Sequence, residues 1–296
     1  MAGTALIGLG NMGRGMARNI MAAGVALRGS DLSDAARDGF AADGGAAFGT
    51  AQEAATGCDL VIVMVQNAAQ ARAVLFDAAV AGAMQHGGTV MLCSTVAPSE
   101  ARALAADLDA AGLLTLDAPV SGGQKGAEAG TLTVMASGPE AAFARAQIVL
   151  AAIGGKVLRV GDEAGIGATY KVVHQLAAGV HLAAAAELMA LGVSAGCDAE
   201  TLFDIVTSSA GQSWMLEDRG PRMMQADPQA TSTVDIFVKD VGLVLQTGRE
   251  VGLPLPLSSA AFQMFQTASA MGLGTKDDSK VVAAYEALSG KPVFKD

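Results

Sequence analysis

A change of rhythm near residue 163 constrains this chain more than any other feature. Before it, short apolar runs alternate with helix-patterned runs. "ALIGLG" (5–10), "VALRGSD" (25–31), "DLVIVMV" (59–65), "TVMLCST" (89–95) and "LLTLDAP" (113–119) read as strands, with helical stretches such as 99–111 between them. A strand with one wet face alternates polar and apolar residues, whereas "DLVIVMV" is apolar almost throughout and so is covered on both faces. Helices between such strands make crossover connections, and the pattern predicts a doubly wound, mostly parallel sheet. "GTLTVMASG" (130–138) and "KVLRVGD" (156–162) add two final strands. After Asp162 the strand signals stop. Helical patterns follow at about 165–196, 198–209, 212–225, 232–252, 256–272 and 277–289. The expected organisation is an α/β domain over 1–163 and an all-helical domain over 164–296.

Charge and composition exclude several roles. The net charge is −10 and no run of Lys or Arg offers a phosphate-binding stripe, so nucleic acid is not an expected partner. The three cysteines, Cys58, Cys93 and Cys197, are far apart in sequence; buried thiols in a reducing compartment are expected, with no metal site. "MAGTALIGLG" enters a strand at once and has no basic leader. The longest apolar stretch, 176–195, is interrupted by His181 and Glu187 and is rich in alanine, which fits a buried helix rather than a membrane span. A cytoplasmic protein is expected. The alanine-rich helical half is expected to pack against other copies as a homodimer or homotetramer.

The first strand ends in "GLGNMG", the G-x-G-x-x-G spacing of Gly8, Gly10 and Gly13. The spacing alone is weak; after a strand and before a helix it describes a Rossmann-type dinucleotide cradle. Gly8 allows the tight turn, Gly10 the approach of a pyrophosphate, and Gly13 close helix–strand packing. Asn11 and Met12 complete the loop. Asp31 closes the second strand, 18 residues after Gly13. A carboxylate there accepts from ribose hydroxyls and repels a 2′-phosphate, so NAD is expected over NADP. The competing reading is a surface aspartate after an unrelated turn.

"GATYKVVHQLAAGVH" (167–181) puts Lys171 among small and apolar residues. A lysine in such surroundings either snorkels to water or carries a task. On a helix Gln175 lies one turn further on the same face, with His174 beside it. "PVSGG" places a hydroxyl before two glycines, a turn that exposes backbone N–H groups suited to a carboxylate, or else an ordinary structural turn.

Four segments together resemble the β-hydroxyacid dehydrogenase family: "GLGNMGRGMARNI", "DAPVSGGQKGAEAGTLTVMASG" (117–138), "GIGATYKVVHQ" and "VKDVGLVL" (238–245). The resemblance spans about residues 4–290. It implies that Lys171 is the catalytic lysine and that Ser121, Gly122 and Gly123 bind the substrate carboxylate. It places Lys239 near cofactor and substrate, and Val65, Gln66 and Thr95 along the nicotinamide side of NAD. The family's asparagine four residues after the lysine is Gln175 here, with His174 before it. The usual Leu-Pro after the fourth strand reads Val65-Gln66-Asn67. These departures, with "HQLAAGVHLAAAAE" (174–187) and "GQSWMLEDRGPRM" (211–223), most resemble the branch acting on L-threonate.

The chemistry agrees with a dehydrogenase. Oxidising a secondary alcohol needs a base for the hydroxyl proton while nicotinamide takes the hydride. Partial desolvation brings a lysine toward that role. Gln175 is expected to orient a substrate oxygen or the lysine; His174 is either a second substrate contact or a core histidine satisfied by backbone. His181 is expected to be structural and His86 a loop residue. Gln212, Ser213 and Trp214 either pack between helices or line a pocket. A polyhydroxylated acid would satisfy so many polar groups where 3-hydroxyisobutyrate would leave them unpaired. The expected reaction is NAD-dependent oxidation of a small hydroxy acid, L-threonate foremost. The alternatives are 3-hydroxyisobutyrate oxidation, tartronate semialdehyde reduction, or, in a different class, a non-catalytic NAD sensor.

Overall fold

The computed structural model describes residues 3–293. The chain forms two compact units that divide between Val172 and Val173.

The first unit is built on nine strands: β1 (Gly3–Ile7), β2 (Leu27–Ser30), β3 (Ala46–Ala47), β4 (Cys58–Val63), β5 (Thr89–Leu92), β6 (Leu114–Asp117), β7 (Val120–Ser121), β8 (Leu132–Ser137) and β9 (Gly154–Gly161). They pair in the order β3-β2-β1-β4-β5-β6-β8-β7, with β9 also on β8. Pairing is parallel from β3 to β6. β8 runs antiparallel to β6 and β7 and parallel to β9. The order 3-2-1-4-5-6 is that of dinucleotide-binding sheets, with the switch point where β1 meets β4.

Each central strand feeds two cores. Leu6, Leu60, Ile62 and Met91 point to one face with Met16 and Ile20 of the helix Asn11–Ala22. Ala5, Ile7, Val61, Val63, Val90 and Leu92 point to the other with Leu104 and Leu108 of the helix Pro98–Ala110. This two-sided burial is the physical reason for the nearly unbroken apolar run in β4. Strands end one to three residues earlier than the sequence pattern predicts, because the residues beyond them enter loops. β3 and β7 were not anticipated; two residues each are too few to carry a periodic signal.

The second unit is helical. The helix Ile166–Ser194 begins in the first unit and runs into the second, followed by Ala199–Thr207, Trp214–Met223, Val234–Glu250, Pro256–Ala268 and Val282–Ser289. Its core gathers Leu182, Met189, Leu216 and Phe265. Phe237 stacks on Phe265 with ring centroids 5.1 Å apart. The expected helix over 256–272 stops at Ala268; a π turn follows, broken at Gly272 with φ 84°. Buried ion pairs tie the helix Trp214–Met223 to the turn Asp278–Val281 and its cap Asp277: Arg219 with Asp278 at 2.8 Å and Arg222 with Asp277 at 3.0 Å, while Asp218 of the same helix holds Arg219 at 2.5 Å. Cys58 and Cys93 are buried, but Cys197 is exposed, contrary to expectation, because it lies in the turn after Gly196.

Candidate active site

The glycine loop lies at the carboxyl end of β1. Gly8 has φ 99°, and a Cβ there would sit 2.3 Å from the Met64 carbonyl oxygen. A Cβ on Gly13 would lie 1.9 Å from the Gly8 carbonyl oxygen. These two glycines are needed by the loop's own packing. Gly10 is different: its φ is an ordinary −64°, and a Cβ there would meet no protein atom within 4 Å. The space in front of it faces out of the loop. Gly10 also caps the helix Asn11–Ala22 without a side chain, so the first-turn N–H groups are left for an acceptor from outside the chain, as a pyrophosphate is. The residues present therefore fit a dinucleotide.

Asp31 is tied to the same loop. Its carboxylate accepts from the Leu9 N–H at 2.7 Å and the Ser33 N–H at 2.9 Å. Each oxygen keeps acceptor capacity for a ribose hydroxyl. Leu32 beside it is fully exposed. Where β4 ends, the Val65 N–H donates to Ser94 Oγ at 3.0 Å, and the Gln66 N–H to Gln70 Oε1 at 2.9 Å. Val65 and Gln66 thus follow β4, and Thr95 follows Ser94 beyond the neighbouring β5.

The Ser121-Gly122-Gly123 segment turns from β7 into the short helix Gly123–Ala129, with φ 126° at Gly122 and 62° at Gly123. That helix packs against the glycine-loop helix at close range. A Cβ on Gly15 would come within 2.9 Å of the Ala127 and Glu128 backbone, and Asn19 Nδ2 donates to the Ala127 carbonyl at 2.8 Å. Gly15 and Asn19 were missed by sequence reasoning, although both fall inside "GLGNMGRGMARNI".

Lys171 is buried, only 6% exposed, one turn into the helix Ile166–Ser194. The start of that helix is held by Asp117, at the end of β6, a residue quoted in the substrate motif but given no role from sequence. Asp117 Oδ2 accepts from the Gly165 and Ala168 N–H groups, both at 2.8 Å. Ser137 Oγ accepts from the Gly167 N–H at 2.9 Å. A Cβ on Gly167 would press within 2.5 Å of the Met135 carbonyl oxygen. Burial pushes the Asp117 carboxyl up to about 6, against the lowering effect of those N–H donors. Two of the donors, Gly167 and Ala168, are free first-turn N–H groups of the helix and Gly165 lies just before it, so distant strands supply the cap.

In the second unit, four polar groups form one chain. Lys239 Nζ lies 2.8 Å from Asp240 Oδ1. Gln175 Nε2 donates to Asp240 Oδ2 at 2.5 Å. Gln175 Oε1 lies 3.0 Å from His174 Nδ1. Gln175 and Asp240 are buried; His174 is exposed. The core alternative for His174 is thereby set aside. His181 is exposed rather than part of the core, and His86 sits in a turn, as expected. Ser213 caps the helix Trp214–Met223 through the Leu216 N–H at 3.1 Å, Gln212 Nε2 donates to Glu217 at 3.0 Å, and the half-exposed Trp214 ring lies under the Arg219 guanidinium at 5.5 Å. Among the described residues, no group of three or more His, Cys, Asp or Glu is placed to hold a metal ion.

A strand-loop-helix cradle fit for a dinucleotide, with a buried lysine at the start of the following helical region, defines an oxidoreductase of the hydroxyacid class. The comparisons agree. Residues 4–161 match the family model described as the NAD binding domain of 6-phosphogluconate dehydrogenase, and residues 165–285 the one described as NAD-binding of NADP-dependent 3-hydroxyisobutyrate dehydrogenase. The chain belongs to the β-hydroxyacid dehydrogenase family of NAD-dependent oxidoreductases. It is 48% identical to an L-threonate dehydrogenase from Cupriavidus necator, covering 96% of each chain. To the L-threonate dehydrogenase of Escherichia coli K12 it is 44% identical, covering 96% of this chain and 95% of that one. A solved structure from Salmonella typhimurium, described as 3-hydroxyisobutyrate dehydrogenase, superposes with a TM-score of 0.91 at 47% identity, covering 95% of this chain and 98% of the other.

Proposed function

We propose that this chain oxidises L-threonate at C2 to the 2-oxo acid, with NAD as cofactor and Lys171 as general acid/base. The observation that carries the reading is the buried amine of Lys171 on a helix whose first turn is fixed to the sheet by Asp117. Bound NAD supplies the hydride acceptor. Lys171 takes the hydroxyl proton in oxidation and returns it in reduction, steadying the negative charge that grows on oxygen. Ser121 Oγ and the backbone N–H groups of Gly122 and Gly123 hold the substrate carboxylate. His174, Gln175 and Lys239 contribute further substrate contacts, and Lys239 also serves the cofactor. Gly8, Gly10, Asn11, Met12, Gly13, Asp31, Val65, Gln66 and Thr95 hold NAD. Asp31 beside an exposed Leu32, with no arginine at that position, supports NAD over NADP. The relatives named L-threonate dehydrogenase support the substrate.

In this reading residues 1–163 are the NAD-binding domain and 164–296 the substrate and oligomerisation domain of a cytoplasmic homodimer or homotetramer. Exposed apolar side chains on the second unit, Val173 and Leu191 among them, support self-association. The test is NAD reduction against a panel of L-threonate, 3-hydroxyisobutyrate and glycerate, the last being the alcohol that tartronate semialdehyde reduction yields. Turnover of L-threonate above the others is expected; turnover of 3-hydroxyisobutyrate with none on L-threonate would overturn the substrate.

A further inference from the structure

The chain of contacts from Lys239 to His174 has a direction fixed by chemistry. Asp240 is ion-paired with Lys239 at 2.8 Å, and a carboxylate can only accept hydrogen bonds. The end of the Gln175 side chain 2.5 Å from Asp240 must therefore be its NH2 group. That leaves the amide oxygen toward His174 Nδ1 at 3.0 Å. An amide oxygen also only accepts, so Nδ1 must carry a proton. In a neutral imidazole with Nδ1 protonated, Nε2 is an acceptor.

We propose that His174 is a specificity-determining residue: locked as the Nδ1–H tautomer by Gln175 and Asp240, it presents Nε2 as an acceptor to a substrate hydroxyl other than the one oxidised. The inference rests on the hydroxyacid reading above and names what that site selects: an acid with a second hydroxyl, since a methyl or methylene at that place has no proton to give. With asparagine in place of Gln175 the amide would be one methylene shorter, and the reach to both neighbours would differ. Asp240 and Gln175 are positioning residues here; they act through the imidazole.

Two measurements test this. Nitrogen-15 NMR of histidine-labelled protein, with His174 assigned by its loss in His174→Leu, reads the tautomer directly. A protonated Nδ1 and bare Nε2 are expected; a protonated Nε2 would overturn the proposal. The second measurement is kcat/KM of wild type and His174→Leu on L-threonate and on 2-hydroxybutanoate, which keeps the reacting hydroxyl and lacks the others. One lost hydrogen bond to substrate predicts that the preference for L-threonate falls about tenfold in the variant. An equal loss on both acids would contradict the proposal while leaving the dehydrogenase reading in place. A wild type that oxidises neither acid would instead remove that reading, and this inference with it.

Discussion

At the residue scale, the glycines of "GLGNMG" divide by what surrounds them, and the division is testable. A methyl on Gly13 has no room, because the Gly8 carbonyl is 1.9 Å from where it would sit. Gly13→Ala should lower the melting temperature and weaken NAD binding together. Gly10 has open space in front of it and an ordinary φ. Gly10→Ala should therefore leave thermal stability within about 0.5 kcal/mol while NAD affinity falls at least tenfold, as calorimetric titration would show. Equal stability losses in both variants would mean that Gly10 serves loop packing too. The spacing announces all three glycines; which of them faces ligand and which faces backbone needed coordinates. Cofactor choice belongs to this scale as well. Asp31→Ser with Leu32→Arg should shift the NAD-to-NADP ratio of kcat/KM toward NADP by at least tenfold, read by comparing the two cofactors at fixed substrate. It should also loosen the loop, since Asp31 holds the Leu9 N–H.

At the element scale, two helix attachments carry the predictions. Asp117 caps the start of the lysine helix from β6. Burial raises its folded value to about 6, so the folded state holds that proton more tightly than the unfolded chain does. Its contribution favours folding most below about pH 4 and declines as pH climbs through about 6. Urea unfolding of wild type and Asp117→Asn across that window should show the wild type losing on the order of 2 kcal/mol relative to the variant. A constant gap would mean that Asp117 does not titrate there. Arg219 is sealed against Asp218 and Asp278. Arg219→Ala takes the nearer cation from two buried carboxylates, leaving them the longer contacts to Arg222 at 3.3 and 3.8 Å, and should cost about 3 kcal/mol in urea unfolding. The motif "DAPVSGG" was legible as a whole, yet the role of its aspartate was not. Its partners lie 48 and 51 residues away, and no local pattern marks a cap supplied from another strand. The same distance hid the Gln175–Asp240 contact, 65 residues apart, although both residues fall in segments that the family resemblance singles out.

At the scale of the whole molecule, the sequence carried the architecture well. Unbroken apolar runs in β4 and β5 came from burial on two faces, and the loss of strand signal after Asp162 came from a unit made only of helices. What it did not carry were elements too short for periodicity, β3 and β7, and the antiparallel seat of β8. The apolar helix Ile166–Ser194 is long enough to cross a membrane by length and composition, with 44% of its most apolar window buried. Its exposed Val173 and Leu191 are where association between copies would show. Light scattering should report a dimer or larger, and Leu191→Asp should shift it toward monomer; a wild type that is monomeric throughout would leave those side chains without the proposed use.

In the proposed reaction the Lys171 amine moves the substrate proton. Its most direct test is kcat/KM for L-threonate in Lys171→Ala, with NAD affinity measured on the same sample and methylamine added back. A loss of about 10²–10⁴-fold is expected, with NAD binding within a few-fold of wild type and partial recovery with the amine. A variant that keeps wild-type turnover without it would contradict the account.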